Sequence, residues 1–376
     1  MEKPPLFYIT AATFVHVFSP PFQPHDAARL ASAFYMMLTL VFTGLTAREL
    51  LGKGYGWITA AILIGCLGLQ ETAHKLITDV ALLAGFAAAI YGLALSSRRY
   101  ALGGFWIGAG TGIGFLSKGL LAPGLIGITA LLLPALFTTW RRKDYGRSLL
   151  IALAAVLPWL LVWPIALYHH SPALFKEWFW FENVGRFLGF GNVGRRFSST
   201  FYLVMLPWFA FPALPLAFWT LWLKRRTWYG EPAIQLPLVA FLVMFTTLSL
   251  SSSIRDIYAL PMLLPLTLLA AAGADSLQER AKELDCLYRV DEILDGQQLV
   301  AVVPGAEHPD PPPLADPVEQ DLEDAEPLRP DERLRADDRE LEAAPGEKAV
   351  ERLLVPRELR ALHRGRVVES RNAAGL

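Results

Sequence analysis

The chain has 376 residues, is 53% hydrophobic and 12% aromatic, and carries a formal net charge of −1 with only two cysteines. Cys66 lies in an apolar run and Cys286 in a polar stretch, which excludes a disulfide-stapled scaffold and a thiolate metal site. The near-zero charge hides a division: residues 1–273 hold 20 Lys/Arg against 10 Asp/Glu, and residues 274–376 hold 14 against 25. A polytopic membrane region (1–273) and an acidic tail (274–376) are therefore expected to join near Gly273, with nothing that calls for a nucleic-acid partner.

The chain opens on Met1-Glu2-Lys3-Pro4-Pro5-Leu6-Phe7-Tyr8. Two prolines hold the backbone extended, so Glu2 and Lys3 project from a stiff strap. Leu6 to Phe18 is apolar apart from His16 and two threonines. At thirteen residues it is too short for roughly 30 Å of hydrocarbon, and an interfacial helix is predicted, within an outer juxtamembrane segment 1–29. Nine apolar stretches long enough to span, some with tilt, follow at 30–47, 55–70, 80–96, 101–117, 119–139, 149–168, 201–223, 234–250 and 257–273. None contains Asp, Glu, Lys, Arg or His. Because a spanning segment must satisfy its own backbone, the expected fold is an all-α polytopic bundle of about nine transmembrane helices.

Loop charge sets the orientation. Connectors 48–54, 97–100, 140–148 and 224–233 carry 11 Lys/Arg in 30 residues, whereas the opposite set carries 9 in 77. The first set is cytoplasmic by the positive-inside rule, which puts the strap and the long loop 169–200 outside and the tail inside. Most of the unusual polar residues then gather on the outer face, among them Lys3, Asp79, Lys118, Arg186 and Arg255. The outer loop's aromatics suit a headgroup layer, and its Lys176 and Arg186 suit a phosphate.

Each signal has an ordinary counterpart. Asp79 after Thr78 reads as a helix N-cap. Lys118-Gly119 reads as a basic helix C-terminus, although an ammonium at membrane depth is costly and often functional. The glycines of 103–114 suit helix packing better than phosphate binding. His169-His170 lacks a third ligand at zinc spacing. Arg255 and Asp256 can pair with each other. In the tail, 276–294 has one amphipathic period, 304–347 has the composition of disordered segments, and a short helix is plausible near 347–364.

Glu2 to Tyr8, followed by Ala27-Ala28-Arg29-Leu30-Ala31-Ser32-Ala33, resembles the bacterial aminoarabinose and protein-mannosyl transferase family, membrane glycosyltransferases of the GT-C fold. Further matches follow in order: Thr78-Asp79, Gly114-Phe115-Leu116-Ser117-Lys118-Gly119, Glu182-Asn183-Val184-Gly185-Arg186-Phe187, and Arg255-Asp256-Ile257-Tyr258-Ala259-Leu260-Pro261. The resemblance covers roughly residues 1–273. It implies inverting transfer of a sugar from a polyprenyl-phosphate donor to a lipid or protein acceptor, at the outer face of a bacterial inner membrane. It places the donor phosphate among Lys3, Lys118, Arg186, Arg255 and Tyr258. It gives Lys3 and Asp79 catalytic roles and makes Glu2 a ligand of a divalent metal ion that helps stabilise the departing phosphate.

The family pattern also has a first spanning helix and an Asp-Glu loop ahead of the Glu-Lys-Pro-Pro block, and further helices where this chain turns acidic. On that comparison the sequence reads as truncated before its catalytic base. A transporter or flippase for a lipid-linked substrate is the rival reading. Its midplane ionisable sites are missing from the charge-free spans, though prolines at 158, 164, 207, 212 and 215 could break helices. A membrane anchor presenting the tail to a cytoplasmic partner is the third.

Overall fold

A computed structural model describes residues 3–185, 200–252 and 254–277. The described residues are almost wholly helical, and they form a multi-pass membrane protein. The readings made of the tail lie outside them from 278 onward.

The interfacial segment is a helix, α1, Leu6–Phe18, ahead of α2, Pro24–Leu51. Phe7 anchors α1 by stacking on Tyr35 of α2, and Thr10 Oγ1 shares a hydrogen bond with the Tyr35 hydroxyl at 2.8 Å. The predicted span 55–70 is two helices, α3 (Tyr55–Gly65) and α4 (Leu67–Thr72), broken at the extended residue Cys66. Then come α5 (Thr78–Leu95), α6 (Tyr100–Lys118), α7 (Leu121–Leu136) and α8 (Lys143–His170). A short helix α9, Pro172–Lys176, runs into a π-helical turn over Glu177–Gly185. The predicted span 201–223 is α10 (Phe201–Phe209) and α11 (Ala213–Leu223), which meet at 99°. The intervening Ala210, Phe211 and Pro212 interrupt the ladder, and Pro212 has no N–H to continue it. The last two are α12 (Pro232–Leu250) and α13 (Leu260–Ala271).

Helix therefore occurs at all nine predicted positions. By length and apolarity, α2, α5, α8 and α12 qualify as spans, and the bent pair α10–α11 makes a fifth. α6, at 19 residues, is long enough but glycine-rich and less apolar; α3, α7 and α13 are shorter, α3 ending at the extended Cys66 and α7 at the extended Phe137.

The bundle is built around α5. Nine-tenths of its span is buried, with α2 on one side and α6 on the other. Its own composition is Ala- and Gly-rich, and α6 answers with glycine. A Cβ on Gly110 would fall 2.5 Å from Ala89 N and Gly85 O, and one on Gly103 2.8 Å from Ser96 N. The opposite face of α6 meets α8 in the same way through Gly104, Gly108 and Gly112. With little hydrophobic gain available between helices inside a membrane, this close backbone packing is what joins them.

At the predicted cytoplasmic end, polar groups pair off. Arg98 bridges to Glu49 at 3.1 Å, Lys224 to Glu231 at 2.6 Å, and buried Trp140 Nε1 donates to Gln235 Oε1 at 2.8 Å. The bond from Lys224 holds the Glu231 carboxyl below the ordinary carboxylate range. A carboxyl lowered in the folded state stabilises above its unfolded pKa, and that contribution is lost as pH falls through the folded value.

Two outcomes are expected from thermal unfolding in detergent. Gly110→Ala forces α5 and α6 apart and costs about 1–3 kcal/mol, whereas Gly127→Ala, where a Cβ meets nothing within 4 Å, is neutral or mildly stabilising. The Tm gap between wild type and Glu231→Gln is present at about pH 6, begins to narrow below about pH 4, near the unfolded carboxyl value, and closes as pH falls through the lowered folded value.

Candidate active site

The glycine contacts bring the N-terminal end of α5 and the C-terminal end of α6, predicted to face outward, together, and both carry a charge there. Asp79 stands in the first turn of α5, and Lys118 is the last residue of α6. Each suits its end: a carboxylate is favoured at a helix N-terminus and an ammonium at a C-terminus. Lys118 Nζ donates to Asp79 Oδ1. The side chains are 12% and 2% exposed, so this is a buried ion pair. The Asp79 carboxylate is thus turned to the lysine and not to the helix cap, because α5 is entered through Ile77 with no side-chain cap. The N-cap reading of Asp79 is corrected accordingly. Asp79 Oδ2 and Thr78 Oγ1 are buried with no hydrogen-bond partner among the described residues.

A third group completes the centre. The Tyr258 ring, from the 3-10 turn Asp256–Ala259 that leads into α13, lies with its centroid 3.9 Å from Lys118 Nζ. An ammonium over an aromatic face is attracted by the ring quadrupole, and more strongly where water is scarce. Buried Tyr202 of α10 steadies that turn by donating from its hydroxyl to the Arg255 carbonyl at 3.3 Å.

The residue after Lys118 fixes its direction. Gly119 has φ of +84°, a left-handed C-cap that glycine adopts without steric cost. Above it sits Asn183, from the π-helical turn, whose Oδ1 accepts from Leu120 N at 2.9 Å while its Nδ2 donates to Trp178 O at 2.9 Å.

Pro5, Leu116, Trp159 and Trp163 line an apolar groove of about 350 Å³ between the strap, α6 and α8. None of Lys118, Asp79 and Tyr258 lines it.

Of the residues expected at the site, the structure joins Lys118, Asp79 and Tyr258 in direct contact. Lys3, half-buried, lies two residues before the groove-lining Pro5 and makes no ion pair among the described residues. Arg255 is exposed, with its backbone carbonyl on Tyr202. Glu2 and Arg186 fall outside the described residues, and Arg186 directly follows the last residue of the π-helical turn. Among the described residues no three His, Cys, Asp or Glu side chains cluster as a metal site, and Asp79 is already engaged by Lys118. These side chains do not by themselves fit a divalent ion. Asn183 and Tyr202 are positioned by contacts between distant segments; Asn183 stood within a matched motif, but nothing in its spacing pointed to Leu120.

Residues 2–163 match the family described as Dolichyl-phosphate-mannose-protein mannosyltransferase. The undecaprenyl phosphate-α-4-amino-4-deoxy-L-arabinose arabinosyl transferase of Pseudomonas paraeruginosa is 31% identical over 69% of this chain and 47% of its own length. A Pseudomonas fluorescens protein with that name (transferase 1) is 29% identical over 64% of this chain and 43% of its own. The crystal structure of ArnT from Cupriavidus metallidurans bound to undecaprenyl phosphate superposes with a TM-score of 0.62 at 22% identity, over 77% of this chain and 53% of that one. The chain resembles the aminoarabinose-transferase and protein-mannosyltransferase family. The all-helical membrane fold expected from sequence is the fold of that crystal structure. The chain spans about half the length of the curated relatives it matches.

Removing one partner of a buried ion pair leaves the other charge stranded. Asp79→Asn or Lys118→Met alone is expected to cost about 3–5 kcal/mol, while the double variant, which removes both charges, costs markedly less. Thermal unfolding of the purified protein in detergent reads the difference.

Proposed function

We propose that the chain serves the transfer of a sugar from a polyprenyl-phosphate donor to a lipid or protein acceptor at the outer face of a bacterial inner membrane. The relatives' names point to an aminopentose as the sugar. The observation that carries this reading is the buried Lys118 ammonium, held by Asp79 and the Tyr258 ring. A cation kept in an apolar setting is what the phosphate of a lipid-linked donor requires. The basic cytoplasmic loops support the outward orientation.

In the reaction, the bond between the anomeric carbon and the phosphate oxygen breaks, and its electron pair leaves with the phosphate. The acceptor hydroxyl oxygen forms the new glycosidic bond and gives up its proton. Negative charge therefore grows on the departing phosphate. A fixed cation in a dry site stabilises that charge without having to reorganise. Lys118 is the residue placed for this. Asp79 keeps it charged and aimed, and Tyr258 limits its swing. Lys3, Arg186 and Arg255 are the further cations of the same phosphate site, and Glu2 is the residue proposed to recruit a divalent ion.

The test is undecaprenyl phosphate binding to the full chain in nanodiscs, together with transfer of radiolabelled sugar from a polyprenyl-phosphate donor. Lys118→Met and Lys3→Met are each expected to weaken binding about tenfold or more and to cut transfer by about 10²–10³. Wild-type affinity and rate in both variants would overturn the assignment. The Asp79→Asn/Lys118→Met double variant regains stability without regaining binding, which separates the chemistry from the fold.

A further inference from the structure

The position of Lys118 depends on a contact made from another part of the chain. Lys118 ends α6; in the turn that follows, Gly119 N bonds back to Phe115 O of α6 and Leu120 O accepts from Gly124 N of α7, which leaves the Leu120 N–H with no backbone partner among the described residues. Asn183 fills that role. Its Oδ1 takes the Leu120 N–H at 2.9 Å, so the first amide beyond the left-handed residue is satisfied by a side chain 63 residues away. Its Nδ2 goes to the Trp178 carbonyl at 2.9 Å, five residues back, which is the acceptor spacing of a π-helical turn. The same amide packs on Gly119 so closely that a Cβ there would overlap Asn183 Oδ1. Trp178 is 2% exposed and meets Phe115 of α6 edge to face, with ring centroids 6.0 Å apart, so the turn that carries Asn183 is itself fixed to α6.

We infer that Asn183 is a positioning residue: it clamps the Lys118–Gly119–Leu120 turn and thereby holds the Lys118 ammonium between Asp79 and Tyr258. This rests on the proposed role of Lys118 as the phosphate-binding cation. Asn183 touches no reacting atom; it acts through Lys118. The clamp also makes the outer loop and the phosphate site one mechanical unit, since any displacement of the π-helical turn is passed to the lysine through a single amide. Both halves of the amide are used, so neither Asp nor Leu at this position reproduces it.

The experiment uses the full chain in nanodiscs and two readouts. The first needs no ligand: the rate at which an amine-reactive reagent labels Lys118, followed by peptide mass spectrometry. In wild type Lys118 is protected by burial and its ion pair; in Asn183→Leu, and in Gly119→Ala on the other side of the contact, it is expected to label about five- to tenfold faster, the factor that loss of one hydrogen bond of ordinary strength allows. The second is undecaprenyl phosphate binding by wild type, Asn183→Leu, Lys118→Met and the double variant. Asn183→Leu is expected to weaken binding about five- to tenfold, and to add nothing in the Lys118→Met background. Unchanged Lys118 labelling in Asn183→Leu, or losses that multiply in the double variant, would overturn the inference. Should Asn183→Leu fail to fold, the milder Asn183→Ser carries the same labelling comparison. If Lys118→Met binds as wild type does, the phosphate-site reading fails instead, and the labelling result still decides whether Asn183 positions the lysine.

Discussion

The ion pair between Asp79 and Lys118 constrains everything around it. Neither charge is tolerable alone when buried, so the two helices that carry them must end at the same level and in contact. That requires α5 and α6 to run unusually close for their whole length, and only glycine allows it. Gly85, Gly103, Gly110 and Gly114 are thus tied to a charge contact more than one helical turn away from most of them. The pair is at once a structural debt and the means of keeping a cation dry, oriented and ready for an anion.

Around this centre the roles divide by distance. Tyr258 borders the ammonium directly. Tyr202 holds the turn that bears Tyr258, and Asn183 holds the turn that bears Lys118. Each of these supports comes from a different part of the sequence, so the site is assembled by tertiary structure and not by any local motif. The opposite end, predicted to be cytoplasmic, shows the reverse economy. Its Arg98–Glu49 and Lys224–Glu231 pairs are more exposed, and among the described residues it has no comparable concentration of buried charge.

Much of this was legible in the sequence, and for physical reasons. Apolar runs free of charge identify spanning helices almost regardless of context, which is why helix appears at every predicted position, and Leu6–Phe18 is helical over its whole predicted length. What hydropathy does not register is continuity: Cys66 interrupts an apolar run that looks seamless, whereas the 99° corner before α11 falls at Pro212, one of the prolines that could break a helix. At the site, Lys118 stood out because its surroundings were apolar, and its pairing with Asp79 follows once the glycine faces of α5 and α6 meet. Asp79 itself was easier to misread, since an acidic residue in a first helical turn usually caps. Asn183 carried no charge and no period, and its role emerges only from the 63-residue gap it closes to Leu120.

The helix α8 sits outside this network. It touches the rest of the bundle mainly through the small-residue face of α6, and only 11% of its apolar span is buried in protein. Its 28 residues rise roughly 42 Å at 1.5 Å each, against a hydrocarbon thickness of about 30 Å. The surplus carries Lys143 and Arg147 into one headgroup layer and Tyr168, His169 and His170 into the other. Such a helix takes its tilt from its interfacial anchors as much as from its one packed face, and because Trp159 and Trp163 lie on it, bilayer thickness becomes one of the variables that set the width of the apolar groove they line.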